Sequence, residues 1–292
     1  MRRAQKENLI RGFFCLFALL SILFLLGIVI VLFKEGLPIF NVTSLGKFLS
    51  GKFWYPTYEP PDFGILPLLL GSLWVTLGAL IIAVPLGVAG AIYISEVASR
   101  KIKEFIKPVI ELLAGIPSVV YGFFGMVIVA PLVAKFFGLP VGLNVFTASM
   151  LLGIMAIPTI TSISEDALSA VPKSFKEASY ALGANKWETT AKVTLPAAAG
   201  GISTAIILGM GRAIGETMTV LMVAGGAAVI PRSFFEPVRT MTATIAAEMG
   251  ETVVGSAHFH ALFAIAIVLF VITLSFNIIA DLLAQKFRRK LK

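Results

Sequence analysis

The chain has 292 residues, of which 58% are hydrophobic and 14% charged, with a formal net charge of +8. A soluble domain carries about a quarter charged residues, so this balance excludes an ordinary soluble globule and points to an integral membrane protein. With a single cysteine, Cys15, the chain can form no intramolecular disulfide.

Crossing a hydrocarbon core of about 30 Å at about 1.5 Å per residue takes about 20 apolar residues. Six runs meet that length: Ile10 to Phe33, Ile65 to Ile94, Val109 to Ala134, Val145 to Ile163, Ala197 to Val229 and Ala261 to Leu283. The expected fold class is an all-α polytopic membrane protein with six transmembrane helices. The first run follows Arg2, Arg3 and Lys6 and mimics a signal peptide. Its 24 residues exceed a signal core and lack an A-x-A type exit, so it is expected to remain as a helix.

Counting Arg11 at the edge of the first run with Arg2, Arg3 and Lys6 before it, seventeen of the 24 Lys and Arg residues fall at the N-terminus, in 100–107, in 173–192 or in 286–292, against six in the alternate segments and Arg212 within a run. By the positive-inside rule this places both termini on the cytoplasmic side. The basic balance is therefore mostly topology, which leaves no support for a nucleic-acid partner, and membrane lipid is the expected surrounding.

Residues 34–64 form a first outer loop in which Trp54 and Tyr55 read as an interfacial aromatic belt. The second run carries Pro85 with Gly78, Gly87 and Gly90, tolerable where neighbouring helices re-satisfy the backbone. In the third, Glu111 is expected to snorkel or pair, and Gly115 with Pro117 predicts a bend or break. Pro158 interrupts the fourth.

Glu177 to Pro196, EASYALGANKWETTAKVTLP, is a polar, helix-prone segment between two apolar runs. One short helix stops at Gly183, which accepts a left-handed conformation without steric cost. A second covers Lys186 to Lys192 and is expected to close at Leu195 and Pro196.

In the fifth run Arg212 lies amid apolar residues, where an unpaired cation costs about 2.5–3.5 kcal/mol. Glu216 follows four residues on, placing both on one face of a continuous helix. Two readings stay open: a polar pathway in which the planar guanidinium suits an oxyanion, and an ion pair that locks the helix to a neighbour. Gly209, Gly211 and Gly215 miss the dinucleotide fingerprint by one residue and no strand precedes them; Gly211 and Gly215 give a small-xxx-small spacing for helix packing. The chain lacks a G-x-x-x-x-G-K-[ST] loop, so nucleotide hydrolysis falls to another subunit. Residues 231–260 read as the last outer loop. His258 and His260 read as interfacial rather than metal-binding. The tail KFRRKLK reads as a snorkelling anchor.

The segment 177–196 resembles the EAA loop of ABC importer permeases, E-A-A, three residues, G, nine residues, I-x-L-P. The matches are Glu177, Ala178, Gly183, Leu195 and Pro196, with Ser179 for the second Ala and Val193 for Ile. The resemblance implies a type I (MetI-like) importer permease whose paired coupling helices sit in a groove of a separate ATPase. Phe63 to Glu96, Ile110 to Gly125 and Gly211 to Gly226 narrow the likeness to the phosphate importers, of the PstC type. This implies an inner-membrane subunit that is no enzyme, with no cofactor, metal or catalytic residue. Its implied partners are a PstA-type permease, a PstB-type ATPase dimer and a PstS-type phosphate-binding protein. Arg212, Glu216 and Thr217 are the implied pathway residues. The implied organisation is a first helix and outer loop over 1–64, a permease core over 65–284 with its coupling loop at 164–196, and a basic tail over 285–292. A permease for sulfate or molybdate, or a non-transporting sensor, is the alternative.

Overall fold

The computed structural model of the chain describes residues 2–290, with side chains described for 10–283 and Gln285. The expected anchors Arg2, Arg3 and Lys6, and those in 286–292, lie outside the described side chains.

The first helix, α1 (Arg2–Gly36), is followed by a 3-10 turn over Leu37–Asn41, α2 (Leu45–Ser50) and a small antiparallel pair, β1 (Trp54–Tyr55) with β2 (Asp62–Phe63). Then come α3 (Leu66–Ile92), α4 (Arg100–Ala114), α5 (Ser118–Phe124), α6 (Ala130–Phe137) and α7 (Val145–Ser169). The second half holds α8 (Lys173–Ala181), α9 (Lys186–Thr189), α10 (Leu195–Ile214), α11 (Met218–Val223), α12 (Met241–Glu248) and α13 (Ala257–Lys290). Widened π turns at Tyr93–Val97, Gly125–Val129 and Thr190–Thr194 extend α3, join α5 to α6 and join α9 to α10.

Six of these stretches are long and apolar enough to cross a membrane: Ile10–Asn41, Leu66–Val97, Ser118–Phe137, Val145–Ser169, Lys186–Ile214 and Ala257–Leu283. All six expected runs are present, with changed boundaries. The third span starts at Ser118 rather than Val109, because the chain breaks at Gly115–Pro117 as the sequence suggested. The α4 helix before the break buries no residue, and Glu111 sits exposed on it. The fifth ends at Ile214 rather than Val229. Pro158 does not interrupt the fourth span: α7 passes through it unbroken.

The core is built on α3 and α7, whose Val75, Ala79, Leu151 and Leu152 pack with Val129, Ala213 and Val223. Small residues set the spacing. A Cβ at Gly87 would lie 2.8 Å from Ile160, and one at Gly209 2.7 Å from the same residue, so α3, α7 and α10 meet at a fully buried Ile160. The expected small pair Gly211 and Gly215 makes no such approach, since nothing beyond the helix's own turn lies near either glycine. The side chains of α1 are exposed from Ile10 to Ile28, as befits a helix that is apolar all round and faces lipid.

Residues 231–260 are more than a loop. The backbone turns at Gly225 and Gly226, both at positive φ, and returns beside α11, with Val238 N–H donating to the Ala224 carbonyl at 2.8 Å. The carbonyls of Phe234 and Glu236 accept from Phe146 and Val145 at 2.7 and 3.1 Å, satisfying donors that open α7. The α12 helix, capped by Thr240, then buries Met241, Thr242, Ala243 and Thr244.

Trp54 departs from the belt reading: it is 3% exposed and its indole N–H donates to the Glu248 carboxylate at 3.0 Å. Tyr55 stays exposed, stacked on Tyr58 at 5.0 Å between centroids. Glu248 also accepts from Arg239 at 2.6 Å and meets His258 Nε2 at 2.8 Å. His260 donates to the Glu35 carbonyl at 2.7 Å. One carboxylate thus ties the first loop to the 231–260 segment and the start of α13. Glu248→Ala strands a half-buried arginine, so it is expected to destabilise the fold by about 2 kcal/mol, read as a lowered midpoint of thermal unfolding in detergent. An unchanged midpoint contradicts this role.

Candidate functional sites

The first site is the corner at the basic end of the bundle. The α8 helix ends in a glycine-type stop: Gly183 has φ +84°, and Ala184 N–H returns to the Ser179 carbonyl at 3.2 Å. Asn185 opens α9 with a capping box, its side chain accepting from Glu188 N–H while Glu188 accepts from Asn185 N–H, both at 2.9 Å. The Ser179 and Thr189 hydroxyls, 2.9 Å apart and buried, pin α8 to α9. The serine that departs from the E-A-A pattern is therefore the clasp of the corner.

What this rigid corner presents is apolar. Leu182 is 90% exposed and Trp187 66%, with Phe175 and Tyr180 beside them, and Glu177 and Ala178 are exposed as well. Large apolar side chains exposed beside polar residues form an apolar patch at this end of the bundle. The second helix does not close at Leu195 and Pro196. Instead α9 runs through the π turn Thr190–Thr194 into α10, with Pro196 in its first turn, making one helical stretch over Lys186–Ile214. Proline is tolerated there because it opens α10 and the widened turn just before it accommodates the ring. Leu195 packs into a cluster of Ala91, Leu168, Val171, Ala198 and Ile202 that binds the ends of α3, α7 and α10.

The second site lies at the other end of α10. Arg212 is exposed and makes two long contacts, donating to Thr159 Oγ1 at 3.4 Å and to the Ala114 carbonyl at 3.3 Å. Arg212 and Glu216 border one crevice with Leu152, Met155 and Ala156 but form no ion pair. The physical reason is that α10 ends at Ile214, so the i,i+4 geometry never reaches Glu216. Glu216 instead accepts from Thr219 N–H at 3.3 Å, and its carbonyl accepts from Thr242 at 2.7 Å. Thr217 starts α11, with its hydroxyl on the Gly215 carbonyl at 3.3 Å.

Sequence reasoning missed the ion pairs of the basic end. Glu165, 3% exposed at the end of α7, binds Lys103 and Lys107 of α4, and Asp166 binds Lys107 as well. Bonding to Glu165 and then Asp166 holds the Lys107 ammonium well above the ordinary lysine range. Glu96, at the end of α3, binds Lys176 of α8 at 2.6 Å. These partners lie 58 to 80 residues apart, beyond the reach of any local pattern.

The family described as binding-protein-dependent transport system inner membrane component matches residues 83–289. The chain belongs to this family. Among its relatives, the probable ABC transporter permease protein YqgH of Bacillus subtilis is 42% identical over 271 residues, 92% of this chain and 88% of the relative. The phosphate transport system permease protein PstC of Mesorhizobium japonicum is 37% identical over 88% of this chain and 83% of its own. That of Haemophilus influenzae is 35% identical over 97% and 94%. The permease shares its fold with a solved inward-facing methionine ABC transporter, MetNI, at TM-score 0.56 and 19% identity over 77% of this chain and 94% of that one. A bacterial alginate ABC transporter, solved with its periplasmic protein, matches at TM-score 0.57 and 14% identity over 92% and 94%. The chain is thus a multi-pass permease of an ABC importer, working with ATPase and substrate-binding partners rather than as an enzyme.

A branched residue at Gly183 must adopt a left-handed backbone at a cost of about 1–2 kcal/mol. Gly183→Val is expected to cut co-purification of the ATPase subunit several-fold while the bundle still folds, its thermal midpoint lowered no further than that cost allows. Undiminished co-purification contradicts the corner's docking role.

Proposed function

We propose that this permease forms the translocation pathway of an ATP-driven importer of inorganic phosphate, in the cell inner membrane with both termini cytoplasmic. Its partners are a PstA-type permease, a PstB-type ATPase dimer against the Leu182 and Trp187 corner, and a PstS-type binding protein at the opposite face. The observation that carries the reading is Arg212: a guanidinium in a membrane span, held by two contacts of 3.3 and 3.4 Å, with no carboxylate paired to it among the described residues. A planar cation so placed has donors to offer a tetrahedral oxyanion. The relatives named PstC supply the anion class.

In this mechanism ATP binding closes the ATPase dimer and moves the α8–α9 corner. Because α9 is continuous with α10, the displacement reaches Arg212 without a joint. Phosphate delivered from the binding protein meets Arg212 at the broken helix, where it replaces the weak contacts to Ala114 and Thr159. Glu216, on the same crevice, repels the bound anion and speeds its release, while Thr217 offers a hydroxyl.

The test is uptake of labelled phosphate, with sulfate as competitor, in vesicles holding the assembled complex and ATP. Wild type is expected to accumulate phosphate against excess sulfate. Arg212→Lys, which keeps the charge but loses the fork, is expected to lose about tenfold or more while still assembling and hydrolysing ATP. Equal uptake by both removes Arg212 from the pathway, and inhibition by sulfate reassigns the cargo. Glu216→Gln is expected to slow uptake several-fold; if it transports normally while Arg212→Ala does not, Glu216 has no part in release.

A further inference from the structure

We propose that the ion pair between Lys176 and Glu96 is a transmission strut, through which the α8–α9 corner drives α3 as well as α10. The inference rests on the coupling role proposed above.

The corner has two covalent exits. One runs back through Pro172 into α7, the other forward through the π turn into α10. Neither exit leads along the chain into α3, although α7 and α10 both pack against it and α3 with α7 forms the centre of the bundle. Among the described residues, Lys176–Glu96 is the one ion pair that joins α8 to a membrane span. Lys176 directly precedes Glu177, the first residue of the E-A-A pattern, so it moves with the docking surface.

The environment makes this pair stiff. Glu96 is 8% exposed at its side chain and Lys176 22%, with Nζ and Oε1 2.6 Å apart. The Ser95 hydroxyl donates to the same oxygen at 3.2 Å. An exposed pair would be screened and worth little, whereas one shielded from water is directional and costly to separate. Glu96 lies in the π turn Tyr93–Val97, closed by Ala98 N–H on the Tyr93 carbonyl at 2.8 Å. Such widened turns often lie at functional sites in helices. Beneath the strut, Ala91 of α3 packs with Leu168, Val171, Ala198 and Ile202. A push on Glu96 therefore acts where three spans are already joined. The Lys103 and Lys107 contacts to Glu165 differ in kind, since they join α4 to α7 and involve no residue of the corner.

The experiment compares wild type, Glu96→Lys, Lys176→Glu and the double charge exchange, each purified as the complete complex with its ATPase and sealed into vesicles. Phosphate uptake and ATP hydrolysis are read in the same vesicles. Each single reversal is expected to co-purify with the ATPase at wild-type level and to hydrolyse ATP, yet to lose at least about fivefold in phosphate imported per ATP, the low end of typical coupling between sites. The double exchange is expected to recover most of that ratio. Neutral Glu96→Gln and Lys176→Met, which bring no new repulsion, are expected to show the same uncoupling.

The proposal is overturned if the single variants keep the wild-type ratio, or if the double exchange is no better than the singles while assembly is intact. It is equally overturned if reversal and neutral variants alike fail to retain the ATPase, because the pair then serves assembly. Failure of the underlying reading looks different: a wild-type complex that hydrolyses ATP without importing phosphate, or that carries no ATPase.

Discussion

A backbone hydrogen bond broken inside hydrocarbon has no water to replace it, and this constraint makes the stretch Lys186–Ile214 a single rod. Its 29 residues span about 43 Å at 1.5 Å per residue. One end carries the exposed Trp187 and the other carries Arg212. The sequence places a proline where such a rod would be expected to stop. The π turn over Thr190–Thr194 removes that stop, and the α8–α9 corner becomes continuous with the fifth span.

The same constraint explains where the chain does break. At Gly115–Pro117 and at Gly215–Thr217 the helices part within apolar sequence, and each break hands one carbonyl to a neighbouring element while Gly115, Pro117 and Gly215 themselves stay exposed. The Ala114 carbonyl receives Arg212, and the Glu216 carbonyl receives the Thr242 hydroxyl from α12. Irregular backbone at this depth is tolerated where it is packed in protein or lines a cavity. The two breaks meet across Thr219, of α11, whose hydroxyl donates to the Ser118 carbonyl at 2.9 Å. Charge is sorted along the bundle to match. Glu96 and Glu165 clamp the basic end, Glu248 clamps the opposite end, and Arg212 between them has only weak partners.

Much of this was legible in the sequence for physical reasons that differ by element. Six spans follow from runs of apolar residues, which no other solvent tolerates. The corner follows from Gly183 and from the spacing of the E-A-A pattern. What escaped were features set by tertiary contact. Trp54 carries the composition of a belt residue but is buried because Glu248, 194 residues away, takes its N–H. The Arg212 and Glu216 pair looked local because four residues separate them, and it failed because the helix ends between them. The α12 helix has eight residues, too few to announce themselves in the sequence beside a span. Ser179 looked like a mild departure from a pattern, yet its hydroxyl holds the corner closed.

The central claim is that the corner and Arg212 move as one body. The most direct measurement is a pair of spin-label distances in the assembled complex, with Cys15 first replaced by Ser. One pair sits at positions 186 and 208 on the rod, the other at 208 and at 112 on α4. On trapping ATP the account expects the first distance to hold and the second to shift by about one to five ångström, the range of helix shifts in switching proteins. If the 186 to 208 distance changes, or both stay fixed while ATP is hydrolysed and phosphate enters, the rod does not carry the motion and the account is wrong.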